Sequence, residues 1–194
     1  MPKKLTCIAG VDVAYVDNLA IGAVAVLDYE SLKLLERQTV TCQAQFPYLP
    51  TLLAFREIPP AVACIQKLRR QPDVLLVDAQ GVAHSYGCGF ASHLGLVIEK
   101  PTIGVAKSRL IGENKTVAEQ ELLFQNGRVI GAVVTTKEGV KPVYASVGHL
   151  LSLGTAVEIT KHCVLNSRIP EPILQAHKIA AEKKREVEEK RKTL

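Results

Sequence analysis

Long apolar runs, paired cysteines and internal repeats are all missing from these 194 residues. No stretch approaches the roughly 20 apolar residues that a membrane span needs. The segment ahead of Ile8 shows neither an apolar signal region nor a cleavage site. An intracellular, cytoplasmic protein with no membrane attachment is therefore expected. The five cysteines, Cys7, Cys42, Cys64, Cys88 and Cys163, are odd in number, scattered and never spaced C-x-x-C. That pattern argues against a disulfide framework and against a zinc site, and leaves them as small core side chains.

What is present suits one globular domain. Hydrophobic residues make up 47% and charged residues 22% of the chain, enough apolar mass for a core. The net charge of +5 suggests an anionic partner, but its placement is uneven. Seven Lys or Arg against four Glu lie between Lys178 and Leu194, so the tail alone carries +3. Mixed signs at i,i+4 spacing predict a solvated helix there. Pro170 and Pro172 predict a break before it. The expected division is one domain over residues 1–175 and a charged helical tail over 176–194.

Apolar patterning supplies the elements. Thr6–Tyr15, Ala20–Leu27 and Lys33–Cys42 read as strands joined by short polar turns, hence an antiparallel meander. Leu52–Arg70 reads as helix, with an interruption expected at Ile58-Pro59-Pro60. Val74–Val77 is a buried strand, Phe90–Ile98 a helix, and Thr102–Val105, Val129–Val134 and Pro142–Ser146 further strands. Thr155–Cys163 reads as a helix opened by a Thr-x-x-Glu capping box. A meander followed by alternating helix and strand predicts an α/β layer fold with a mixed sheet.

On this scaffold a few polar residues stand out. Alternation puts Asp12 on one face of its strand with Ile8, Gly10 and Ala14, so it has small neighbours. Asp78 directly follows Val-Leu-Leu-Val, at the carboxyl end of a buried strand, where open α/β sheets place ligands. Glu57 closes an apolar helical turn. Taken singly, Asp12 reads first as a turn former, Asp78 equally well as an Asx-type cap, and Glu57 as a solvated helix end. If the two strands are neighbours, however, the carboxylates converge and need a cation, and hard oxygen ligands select magnesium or manganese.

Several ordered stretches then become specific. Residues 9–15 (Ala-Gly-Val-Asp-Val-Ala-Tyr), 47–57 (Pro-Tyr-Leu-Pro-Thr-Leu-Leu-Ala-Phe-Arg-Glu), 77–84 (Val-Asp-Ala-Gln-Gly-Val-Ala-His), 91–95, 101–108 (Pro-Thr-Ile-Gly-Val-Ala-Lys-Ser), 141–149 and 168–172 together resemble the endonuclease V family of deoxyinosine 3′ endonucleases. The resemblance implies an RNase H-like fold. Its core would be a mixed five-stranded sheet, three antiparallel strands then parallel ones, flanked by helices, with an additional small β segment and a C-terminal helix.

The resemblance also implies roles. Asp12 and Asp78 fall on metal-binding aspartates, with Mg2+ as cofactor and Mn2+ able to substitute. Glu57 falls on a third essential carboxylate, Lys107 on a catalytic lysine and His149 on a catalytic histidine. Pro47, Tyr48, Leu49 and Pro50 would form a wedge beside the damaged base. The loop Gln80, Gly81, Val82, Ala83 and His84 would form the pocket for flipped hypoxanthine, read largely by backbone groups. The implied reaction is hydrolysis of the second phosphodiester bond 3′ to deoxyinosine in DNA, initiating repair of deaminated adenine, by a monomer. An inosine-specific endoribonuclease and a non-cleaving lesion-binding module are the alternatives.

The chain departs from the family pattern at several positions. Ala79 stands where the family usually carries glycine, which predicts strain if that backbone needs a positive φ. Ser85-Tyr86-Gly87-Cys88 replaces a basic step after His84, and Leu150 a basic residue after His149.

Overall fold

A computed structural model describes residues 4–137 and 139–192. Strands β1 (Cys7–Val16), β2 (Leu19–Asp28) and β3 (Leu34–Gln43) form the expected meander. Helix α1 (Leu53–Ile65) leads to β4 (Val74–Val77), and α2 (Phe90–Ile98) to β5 (Thr102–Ala106). Then come β6 (Glu113–Val117), β7 (Gln120–Gln125), β8 (Arg128–Val134), β9 (Val143–His149), α3 (Leu153–His162) and α4 (Glu171–Lys192). One sheet holds all nine strands, in the order β3-β2-β1-β4-β5-β9-β8-β7-β6.

The expected five-stranded core is the first five of that order, with β4 parallel to both β1 and β5. The additional β segment continues the same sheet through β9, antiparallel to β5. Helices cover both faces, which explains why β1, β2 and β4 are almost continuously apolar. One core layer sets Ala9, Val11, Val24 and Val77 against α1 and α2. The other sets Ile8, Ala23, Leu76 and Ile103 against α3 and α4.

Three local expectations are corrected, and two strands are added. Helix α1 runs through Pro59 and Pro60 instead of breaking. The prolines remove two N–H donors, but a methyl group on Gly22 would stand 2.4 Å from the Pro60 carbonyl oxygen. The side-chain-free Gly22 is what lets this turn of α1 lie against β2. Helix α3 starts earlier than expected, and Ser152 is its cap, accepting from the Thr155 N–H at 3.2 Å.

Strands β6 and β7 had no apolar alternation to announce them. All of β6 is exposed, and it exists through pairing with β7 across a turn in which Ala118 and Glu119 both take positive φ. Finally, the border expected between residues 175 and 176 falls inside the continuous helix α4. Pro172 lies in its first turn, where proline is tolerated, and Ile173, Ala176, Ile179 and Ala180 are core. Close approach is again set by a glycine: a methyl group on Gly10 of β1 would lie 1.9 Å from the Pro172 carbonyl oxygen.

Candidate active site

Three carboxylates converge where β4 ends beside the middle of β1. The register pairs Val11 with Val77, so the following residues, Asp12 and Asp78, emerge side by side. Both side chains are largely covered, at 16% and 14% exposure. Glu57 reaches toward them from α1, and burial, then the charges of Asp12 and Asp78, push its carboxyl up to about 8, with Arg56 opposing. Burial also raises Asp12, reinforced by Asp78 and opposed by the hydrogen bond from His177. Such a cluster is costly without a cation.

Two hydrogen-bonding side chains partly answer that cost. Lys107, the first residue after β5, donates from Nζ to Asp78 Oδ2. His177 Nδ1 lies 2.9 Å from Asp12 Oδ2. His177 was missed by reading the sequence, because it sits at the head of the charged tail. The available signal was its spacing from Ile173 and Ala176, which marks it as flanking an apolar stripe, but nothing local says that β1 is what the stripe covers.

His149 is not part of this group. Because β9 runs antiparallel to β5, His149 pairs with Thr102 at the entry end of β5, whereas Lys107 follows its exit end. Five residues of strand, about 16 Å at ~3.3 Å each, separate the two levels. The expected catalytic histidine thus lies at the opposite end of the strands from Lys107, and the histidine beside the carboxylates is His177.

Next to the carboxylates lies a cavity of about 390 Å³. Tyr48, Leu49 and Pro50 form one wall, Asp78, Ala79, Gln80 and His84 another, and Ser108, Arg109 and Leu110 a third. Pro47 stands outside the lining, in the bend that carries Tyr48. The segment that carries Tyr48 is moored by Arg56, which donates from Nη1 to the Phe46 carbonyl oxygen at 2.9 Å and stacks 4.5 Å from the centre of the Tyr15 ring. Gln80 Nε2 donates to the Ser108 carbonyl oxygen at 3.0 Å and ties two walls together. Burial holds His84 below the usual histidine range, hence neutral.

Gly81, Val82 and Ala83 do not line the cavity, contrary to expectation. The Gly81 N–H donates to Ser146 Oγ at 2.8 Å and that of Val82 to the Val147 carbonyl oxygen at 2.8 Å. A methyl group on Gly81 would meet that carbonyl oxygen at 2.1 Å, so the glycine serves close packing on β9. Ala83 is buried. The strain expected at Ala79 does not arise, since its φ is not positive.

The donor set suits a hard divalent cation: Asp12, Asp78 and Glu57 offer oxygens only. Among the described residues, no group of three or more His, Cys, Asp or Glu is closed to metal-binding distance. Lys107 and His177 each hold one of the two aspartates. The chemistry fits a cation that would draw the three together.

The sequence profile of the family described as Endonuclease V matches residues 1–178, a span that includes every residue of this site and His177. The chain belongs to the endonuclease V family. It is 42% identical over 187 residues to an Endonuclease V of Rippkaea orientalis, covering 93% of this chain and 82% of that protein. The crystal structure of the Endonuclease V from Streptomyces avermitilis superposes with a TM-score of 0.89 at 36% identity, covering 93% of this chain and 82% of that one. That of Ciona intestinalis Endonuclease V, in complex with a 23mer DNA containing an inosine followed by a ribo-adenosine, gives 0.86 at 32% identity, with 96% and 88% coverage. The mixed sheet with helices on both faces is accordingly the RNase H-like fold of endonuclease V, a nuclease family. No helix among the described residues is long and apolar enough to cross a membrane.

Proposed function

We propose that the chain is a divalent-cation-dependent endonuclease that recognises hypoxanthine in DNA and hydrolyses the second phosphodiester bond 3′ to it. The observation that carries this reading is that one residue, Asp78, belongs both to a base-sized cavity and to the carboxylate cluster. Recognition and hydrolysis then share a wall, and a flipped base in the cavity brings its own 3′ backbone to the carboxylates. The inosine in the DNA bound to the Ciona relative supports the choice of base.

The residues divide the work. Tyr48, 67% exposed on its proline mount, stacks in the gap that the flipped base leaves, and the mount lowers the ordering cost. Gln80 and His84 shape the cavity around the base. A magnesium ion, or manganese in its place, held by Asp12 and Asp78 and faced by Glu57, would neutralise the cluster and supply Lewis acidity at the phosphodiester. His177 orients the Asp12 carboxylate through Nδ1 and exchanges a proton with the attacking water or its surroundings through Nε2. Lys107 exchanges its contact with Asp78 for the phosphate and stabilises charge developing there.

A second reading, cleavage of inosine in RNA, is favoured by the ribo-adenosine that follows the inosine in the Ciona complex. Matched deoxyinosine-DNA, inosine-RNA and a chimaera with one ribonucleotide after deoxyinosine distinguish the two when product ends are mapped with magnesium. Cleavage of the DNA with 3′-hydroxyl and 5′-phosphate ends is expected. Cutting only where a ribonucleotide follows would transfer the activity to RNA, and binding without cutting of any substrate would leave a lesion-binding module.

A further inference from the structure

Tyr86 and Tyr48 are the two most exposed large apolar side chains among the described residues, at 71% and 67%. A single exposed ring needs no explanation, whereas exposed rings gathered in one place mark an interaction surface. Both belong to the same neighbourhood. Tyr48 lines the cavity, and the Tyr86 ring stands 5.9 Å from that of His84, which lines it too, at a tilt of 47°. The mounts are also joined. The Tyr86 N–H faces His84 Nδ1 at 3.4 Å, and His84 also has a hydrogen bond with the backbone of Thr51, in the segment that carries Tyr48. A turn from His84 to Gly87, closed by a 2.7 Å hydrogen bond and completed by a positive φ at Gly87, holds the ring outward.

We infer that Tyr86 is a second stacking platform, on which an unpaired base adjoining the flipped nucleotide is laid. This rests on the nucleic-acid reading of the cavity and adds a residue to it. The loop favours this occupant because Ser85, Tyr86, Gly87 and Cys88 carry no charge, so nothing there repels a phosphate, while Arg109 on the cavity lip offers a cation to the backbone. An aromatic face without a charge holds a base that has lost its partner better than one still stacked in a duplex. The site therefore prefers inosine in single-stranded or frayed nucleic acid.

The chain has no tryptophan, so Tyr86→Trp carries a single indole at the platform. Its emission is followed while an oligodeoxynucleotide with inosine flanked by 2-aminopurine is added, with calcium in place of magnesium. Quenching of both fluorophores is expected. Tyr86→Ala should lose about 5- to 150-fold in affinity for the single strand, less for the duplex, with an unchanged melting temperature, and Tyr86→Phe should keep wild-type affinity. Unchanged emission at saturation, or wild-type affinity in Tyr86→Ala, overturns the platform while inosine preference stays intact. Loss of preference for inosine over adenine in the wild-type protein would instead remove the underlying reading, and the platform with it.

Discussion

His177 Nδ1 lies 2.9 Å from Asp12 Oδ2, joining positions 165 residues apart. The contact exists because α4 packs on β1 through the bare backbone of Gly10, which sets the helix at a height where its next turn delivers an imidazole to the carboxylate. The last helix is thereby part of the site as well as of the core.

His177→Ala is expected to slow single-turnover cleavage by about 10²–10⁴-fold while leaving lesion affinity within a few-fold, since a proton-handling residue acts mainly in the transition state. His149→Ala should cleave within a few-fold of wild type. Quench-flow rates and binding isotherms for the two variants decide the matter. The opposite order of effects would return the role to His149.

Asp78→Asn should abolish cleavage, and excess chelator should do the same to the wild-type protein. Binding of inosine-containing DNA should survive the substitution, because it keeps shape and removes charge. Undiminished cutting by either would sink the cation-dependent mechanism.

Glu57 gives a pH signature. Its carboxyl is at about 8 in the folded protein and at the ordinary 4.5 when the chain unfolds. Between those values the folded state holds a proton that the unfolded state has released. This contribution to stability is fully present below about pH 4.5 and is lost as pH rises toward 8. Without divalent cations the melting temperature should therefore fall across that window, and Glu57→Gln should flatten the fall. Magnesium should raise the melting temperature more at pH 8 than at pH 5, because it competes with the proton. Equal shifts at both pH values would detach Glu57 from the cation site.

Gly10→Ala should destabilise the protein by about 1–3 kcal/mol or more, since the added methyl group meets backbone that can move only by lifting α4. Urea unfolding reads the loss. The folded fraction should also cleave slowly, because His177 moves with the helix. Wild-type stability would contradict the close packing of α4 on β1.

Tyr48→Ala should weaken binding to duplex DNA containing deoxyinosine by about 1–3 kcal/mol, with Tyr48→Phe retaining most of it. Melting temperatures should barely change, given that Tyr48 is largely exposed. A large melting drop with unchanged affinity in the alanine variant would make Tyr48 a packing residue.

Much of this was legible in the chain because it is local. Apolar runs of strand length announce β1, β2 and β4, since strands covered on both faces carry few polar residues. Asp12 and Asp78 stand out for that reason, and motif order singled out Glu57, Lys107 and Tyr48. The outcome at Pro59 and Pro60 was not legible, because proline's local preference says break, while whether a helix continues depends on the room that Gly22 leaves on another strand.

The sequence by itself determined which segments become strands and helices around the core, and which carboxylates interrupt or follow the apolar runs, because burial imposes a pattern on consecutive residues. Only the tertiary structure decided that β9 runs antiparallel to β5 and carries His149 to the end of the strands away from Lys107. It alone decided that α4 belongs to the core and brings His177 to Asp12, that Gly81 packs on β9 instead of facing a ligand, and that β6 becomes a strand. Each of these depends on a partner distant in the chain, and no property of a segment taken alone specifies what will lie against it.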